Sequence, residues 1–457
     1  MRPVVARLAL TLLAAAACGS RCGGDEVATA EDPVAATRQR YFEDASYRRA
    51  VLESALTNHA NTYSRDRLAR YGHADQAWEA LPVWNPRAVP LTDAHVDALR
   101  RDEPLELGEP APLWDGVVPA SEEEWRELGE RVFFEWPLRG DEFIEHALRD
   151  EGFARANGLH RGYAGDRPGL VAFRDVDGRT RVGFTCALCH ASVDAEAGIA
   201  TAGAARRDLD YGAIRIAYYQ ATGAPLDREL GDRMRRWGPG RADITGDDDE
   251  DPVAIPDLWQ LHRLENLTQA GTIRLDPIDA PERAEGRSDL VALAIRQETQ
   301  IIQANRERIR PPRELAWALA MYVAELEPPR PIAELAPSPS PRGRVLFEEH
   351  CIGCHFGPTG SGPLVAAARV GTDRALADSH ARGTGRFRPA PLVAVRGAAP
   401  YFHDGSVPTL ADVLDPARLR SDYARGVRGP GPVEGHAFGT RLPPQDRAAL
   451  VRYLETL

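Results

Sequence analysis

Lysine is absent from the chain, so all 56 basic side chains are arginines. This reads as genomic base composition and carries no binding signal. Acidic residues number 68 and the net charge is −12. Such a surface argues against nucleic acid and suits a basic protein partner. Methionine is nearly missing too: beyond Met1 there are only Met234 and Met321. No long apolar run follows Ala17, which excludes a multi-span membrane protein. The 43% apolar and 27% charged content is ordinary for a globular chain. A length of 457 residues suggests two or three compact units.

What is present begins at the N-terminus. Arg2 and Arg7 precede the apolar run Leu8 to Ala17, and small residues lead into Cys18. A charged start, a short apolar core and small residues are expected of an export signal over residues 1–17. The stretch Leu12-Leu13-Ala14-Ala15-Ala16-Ala17-Cys18 also resembles a bacterial lipoprotein signal, which makes Cys18 the expected lipidation site. The alternative is ordinary cleavage, with Cys18 and Cys22 joined as a small disulfide. Either way export is expected, to the periplasm or to the outer membrane on a lipid anchor. The anchor is then the only membrane contact.

Residues 18–45 read as a tether, and 46–120 as an N-terminal helical region without legible chemistry. Proline and serine crowd residues 328–342, which marks a linker. The two sides of that linker repeat one another. Gly129-Glu130-Arg131-Val132-Phe133 and Gly343-Arg344-Val345-Leu346-Phe347 each lead a helix. Leu319 to Leu326 and Leu450 to Leu457 each close a half, with a tyrosine (Tyr322, Tyr453) in an apolar stripe. The predicted fold is mainly α, with cytochrome c-like haem domains at 121–327 and 343–457.

Between each leading and closing helix stands the chemistry. Cys186-Ala187-Leu188-Cys189-His190 and Cys351-Ile352-Gly353-Cys354-His355 both match the covalent haem attachment pattern. Two thiols three positions apart on a helical turn reach the two vinyl groups of one haem, and the adjacent imidazole meets iron. A Cys₄ zinc site would have to join two halves that lie far apart in the sequence, and would leave both histidines unexplained. Two covalently bound haem c groups are the expected cofactors.

Distal ligands decide what such haems do. For the first, Met234 is the candidate thioether, although it continues the stripe Leu226, Leu230, Met234, Trp237; His262 or an open site are the alternatives. Met321 sits in a closing-helix stripe and reads as core. Trp237 reads as core or as an electron bridge. For the second haem no methionine follows His355, leaving His380, His403 and His436. The preferred ligand is His436, in the turn Gly435-His436-Ala437-Phe438-Gly439-Thr440. His403 comes next, beside an Asp404 that could orient it.

Pro391-Leu392 with Ala399-Pro400-Tyr401-Phe402-His403-Asp404-Gly405-Ser406-Val407-Pro408-Thr409-Leu410 resembles the second haem domain of bacterial di-haem cytochrome c peroxidases. Relatives of that superfamily include di-haem rubber oxygenases. The Gly-His-Ala-Phe-Gly-Thr turn and the Tyr453-Leu454-Glu455-Thr456-Leu457 ending resemble the oxygenase-like branch, and imply a bis-histidine second haem. The likeness is good over 343–457 and thin over 121–327. Peroxidases of the superfamily place a methionine ligand downstream of the His of this motif, at the position where Ala417 stands. Their Trp-Asp-Gly element should follow the first haem motif, but Trp114-Asp115-Gly116 precedes it and the later stretch reads Leu264 to Gly271. Peroxidase residues therefore transfer to no named positions. Such peroxidases also hold Ca²⁺ between their domains. Asp247-Asp248-Asp249-Glu250-Asp251 could attract that ion but lacks the alternating spacing of a calcium loop.

The function read from the sequence is electron transfer in the periplasm, with a small cytochrome or copper protein as partner. The rival is an enzyme that reduces hydrogen peroxide or activates dioxygen at the first haem, with the second as electron store. The export reading has its own test. Cys18→Ser is expected to release the protein from membranes with haem loading intact, and unchanged membrane association would reject the lipid anchor.

Overall fold

The computed structural model describes residues 32–243, 252–275, 288–329 and 340–457. The export signal, Cys18, the acidic run Asp247–Asp251 and most of the proline-rich linker lie outside them. No helix among the described residues is long and apolar enough to cross a membrane.

The frame is built from α1 (Pro33–Glu43), α2 (Ala45–Ala55), α3 (Glu122–Glu135), α4 (Cys186–His190), α5 (Ser288–Ala304) and α6 (Arg313–Ala324), with α4 a short turn carrying the first motif. Two more, α7 (Pro341–His350) and α8 (Pro444–Leu454), complete it. Start signals in the sequence explain the boundaries. Ser121 caps α3 by accepting the Glu124 N–H, and three glutamates fill the first turn, where the helix dipole favours them. Ser340 accepts from Gly343 N–H at 3.1 Å with Pro341 at the first helical position, so α7 begins inside the expected linker.

The repeat seen in the sequence is also a repeat in space. α3 crosses α6 so closely that a Cβ on Gly129 would lie 2.1 Å from the Ala318 carbonyl oxygen and 2.7 Å from Tyr322 Cβ. α7 crosses α8 likewise: a Cβ on Gly343 would lie 2.1 Å from the Ala449 oxygen and 2.7 Å from Tyr453 Cβ. Only glycine permits either approach. Beside each crossing a phenylalanine tilts against the tyrosine, Phe133 on Tyr322 at 5.5 Å and Phe347 on Tyr453 at 5.4 Å.

The stretch between α3 and the first motif, residues 136–185, has no counterpart between α7 and the second motif. It folds with the N-terminal region into a four-stranded antiparallel sheet of order β1-β3-β4-β2, where β1 is Ala88–Thr92, β2 Arg139–Gly140, β3 Asp166–Arg174 and β4 Thr180–Phe184. β4 runs straight into α4, and Thr185 N–H donates to Gly169 O at 2.9 Å, so the sheet fixes where Cys186 points. Residues 46–120 are thus not purely helical, since they supply β1. Nor are they separate: Val51, Leu52 and Ala55 share one core with α5 and α6. Glu298 of α5, buried in that core, accepts through Oε2 from Tyr41 Oη at 3.0 Å and Tyr71 Oη at 2.6 Å, and its Oε1 lies 3.5 Å from Arg313 Nε.

A second repeat follows each motif. Thr268-Gln269-Ala270-Gly271 and Phe402-His403-Asp404-Gly405 adopt the same turn, with Thr268 and Phe402 both at positive φ (66° and 74°). Gly271 N–H donates to Thr268 O and Gly405 N–H to Phe402 O, each at 3.2 Å, and Leu267 and Tyr401 bridge Ile273 and Val407. These two turns meet the opposite halves reciprocally: Ala254 N–H donates to His403 O and Arg388 N–H to Gln269 O, both at 2.8 Å.

Because the α7–α8 crossing has no room for a methyl group, Gly343→Ala is expected to cost about 1–3 kcal/mol through overpacking. Guanidinium unfolding of the purified protein checks this, and an unchanged midpoint would refute the close crossing.

Candidate haem sites

Both motifs line one cavity of about 1690 Å³. Cys186, Cys189 and His190 face it on one side, and Cys351, Cys354, His355 and His436 on the other. Thr185 caps α4 by accepting the Ala187 N–H at 3.2 Å. That cap winds the first motif into a helical turn. Burial pushes the Cys186 thiol up to about 12 and those of Cys189 and Cys351 to about 11.

Two carbonyls missed in the sequence set the proximal imidazoles. His190 Nδ1 lies 3.1 Å from Pro256 O and His355 Nδ1 lies 2.9 Å from Gly360 O. A carbonyl only accepts, so each Nδ1 carries the proton and each Nε2 keeps its lone pair for a metal. Histidine ligands typically have this second partner. Burial holds His190 down to about 4 and also lowers His355, so both rings are neutral at pH 7.

His436 is brought to His355. Their ring centroids are 6.3 Å apart with planes at 68°. Two imidazoles on opposite sides of one metal, each bonded at about 2 Å, put their centroids roughly 6 Å apart once the ring radii are added. Burial, followed by the neighbouring His355, holds His436 down to about 4. Its Nδ1 is buried without a hydrogen-bond partner. The backbone there is strained, with φ at 42°. Such a conformation costs about 1–3 kcal/mol for a non-glycine residue. Surroundings hold it: His436 N–H donates to Val370 O at 2.7 Å, and Arg418 Nη2 donates to His436 O at 2.9 Å.

Other candidates sit differently. Met234 does not line the cavity. It is fully buried against Ile216 and Trp237, because the helix Arg228–Trp237 turns its apolar side onto the helix Tyr211–Thr222. Trp237 shares that packing and also reaches the cavity wall. Met321 lies in the α3–α6 core. His262 has Nδ1 on Ala324 O at 2.7 Å and Nε2 accepting from Arg263 at 3.2 Å, away from the cavity. His380 does not line the cavity either. His403 does, but its ring packs on Phe387 at 4.6 Å. Asp404 was expected to orient that ring; it accepts instead from Ser406 N–H at 3.2 Å and Arg428 at 3.1 Å.

On the side of the first motif, α5 presents Arg296, Gln297 and Gln300 to the cavity, with Arg296 Nη1 donating to Gln300 Oε1 at 2.7 Å. The Arg296 charge acts on both Cys186 and His190. No sequence signal singled out this group. Among the described residues no cluster of three or more His, Cys, Asp or Glu side chains suits a metal ion alone.

Residues 386–424 match the family model described as RoxA-like, cytochrome c-like. The chain carries a cytochrome c-like domain. That domain type binds haem c covalently, and the match ties the C-terminal part to the rubber-oxygenase-like di-haem cytochromes. It covers the turn around His403 and stops before His436. No curated protein matches the chain.

The His355–His436 geometry has a direct spectroscopic consequence. In the haem-loaded protein His436→Ala is expected to convert one low-spin EPR signal to high spin and raise the potential of that haem, because an imidazole donor stabilises ferric iron. Survival of the low-spin signal would remove His436 as ligand and leave His403 to be tested.

Proposed function

We propose that this chain is an exported di-haem c-type cytochrome with two unequal haems, and that it acts as an oxidoreductase on dioxygen or hydrogen peroxide. Cys351 and Cys354 would hold one haem, with His355 and His436 as the residues to bind its iron. Cys186 and Cys189 would hold the other, with His190 as the residue to bind its iron. The observation that carries the reading is the position of Met234, Met321 and His262, none of which reaches the cavity wall. The enzymatic alternative of the sequence reading thereby gains over electron transfer alone.

Bound iron supplies one-electron exchange and, where one axial position is free, a binding position for a small oxidant. The residues divide the rest. His190, tied to Pro256 O, keeps its Nε2 aimed and neutral. Arg296 and Gln300 offer hydrogen-bond donors on the cavity wall, placed to act on developing negative charge. His436 shuts substrate out at the second motif and confines that site to passing electrons. The −12 net charge suits a basic redox partner such as a small cytochrome or copper protein.

Carbon monoxide distinguishes the readings. The reduced protein, carrying the mass of two haems, is expected to bind about one carbon monoxide per two haems, because one of the two lacks a second protein ligand. Binding at neither haem would leave electron transfer alone, and a product without haem would remove the cytochrome reading.

A further inference from the structure

Among the described residues, the seam between the two halves contains a charge with no acidic partner. Arg388 sits where the repeated turns meet. Its backbone N–H donates to Gln269 O at 2.8 Å and its Nε to Thr268 O at 3.0 Å. These bonds from the opposite half fix the side chain along the wall of the shared cavity. Among the described residues its Nη1 is buried with no hydrogen-bond partner. Burial lowers the guanidinium to about 10, and no acidic side chain among the described residues offsets it.

Carboxylates do line this cavity, but they are engaged elsewhere. Asp257 pairs with Arg207 at 2.7 Å, Asp175 with Arg308 at 3.2 Å, and Asp141 accepts from Tyr211 at 2.6 Å. An arginine keeps its charge at any ordinary pH, and a buried charge without a partner costs several kcal/mol. Among the described residues none supplies the matching anion, and a group that fills the cavity is placed to do so. Haem carries two propionate carboxylates, and the fork of a guanidinium matches a carboxylate in geometry.

We propose that Arg388 anchors a haem propionate at the seam, held in place by the Thr268 and Gln269 carbonyls of the other half. The inference rests on haem filling the cavity as proposed above. Arg388 is a positioning residue: it touches the rim of the cofactor and neither iron nor substrate. Its charge favours the reduced iron and, through the seam bonds, couples the cofactor to the packing of the two halves.

The test uses the holoprotein, its haem content read by mass, its midpoint potentials by spectroelectrochemistry, and its propionate bending bands by resonance Raman. Arg388→Gln is expected to keep two haems, shift one midpoint potential negative and move one propionate band. In Arg388→Lys the charge stays and the fork is lost, so the potential should remain near wild type while the band still moves. Full haem loading with unchanged potentials and bands in Arg388→Gln overturns the anchor. Should the Gln variant fail to accumulate, an unmoved band in the Lys variant overturns it as well. Wild-type protein without haem is a separate result, which removes the cytochrome reading together with the anchor.

Discussion

Two helices can approach backbone to backbone only where one of them lacks a side chain, and the structure depends on that contact twice. Gly129 against Ala318 and Gly343 against Ala449 bring each leading helix onto its closing helix with no space for a methyl group. Everything between the paired helices is chain that must loop out and return. In the second half that chain starts with the attachment motif, in the first the sheet precedes it, and in both it returns through a turn at positive φ. The Phe–Tyr contacts beside each crossing then fix the rotation of the helices about their axes.

Given that frame, the two motifs are treated unequally. At the second, chain beyond the repeated turn returns over His355 and presents His436 from a strained backbone, anchored by Val370 and Arg418. Strain of that kind persists only where the surroundings over-determine it. At the first, the corresponding space is bounded by α5, whose other face is tied to the N-terminal region through Glu298. A helix pinned by a buried carboxylate between two tyrosines and Arg313 cannot easily shift to deliver a ligand. The polar side chains it offers, Arg296, Gln297 and Gln300, are hydrogen-bond donors and poor iron ligands. The N-terminal residues, which carry no attachment motif, thus hold in place the helix that lines the cavity at the first motif.

Much of the site was legible because haem attachment demands fixed residue types at fixed spacing. Cys186 to His190 and Cys351 to His355 needed no structure to be found, and the glycine-led helices with their closing tyrosines could be paired by inspection. The lack of a methionine after His355 left three histidines, and the glycine-flanked turn Gly435 to Thr440 favoured His436 among them. Met234 stayed open between ligand and core in the sequence, because an amphipathic stripe shows that a side is buried and not what it is buried against. The sheet was missed because the insert offered no clean alternation, and its first strand comes from a region that read as helical. The repeated turns escaped notice because Thr268-Gln269-Ala270-Gly271 and Phe402-His403-Asp404-Gly405 share only glycine. Their likeness is one of dihedral angles and backbone hydrogen bonds, which side-chain letters do not record.

That hidden likeness has a physical use. A peptide N–H and a carbonyl exchanged in each direction, Ala254 to His403 and Arg388 to Gln269, register the halves against one another independently of side-chain identity. Side chains at the same positions were thereby free to diverge. Gln269 bonds Ala254 O at 2.9 Å and stays with the backbone, while its counterpart His403 turns its ring onto Phe387. Ala254 and Arg388 diverge further, one a methyl group and the other a guanidinium with a buried, unpartnered nitrogen. In a chain whose 56 basic residues are all arginine, composition could not single this one out. Burial without a partner does, and it places the unmatched charge on the boundary the two halves share. A cofactor that supplied the matching carboxylate would also join the halves, so haem binding and the docking of the halves become one event.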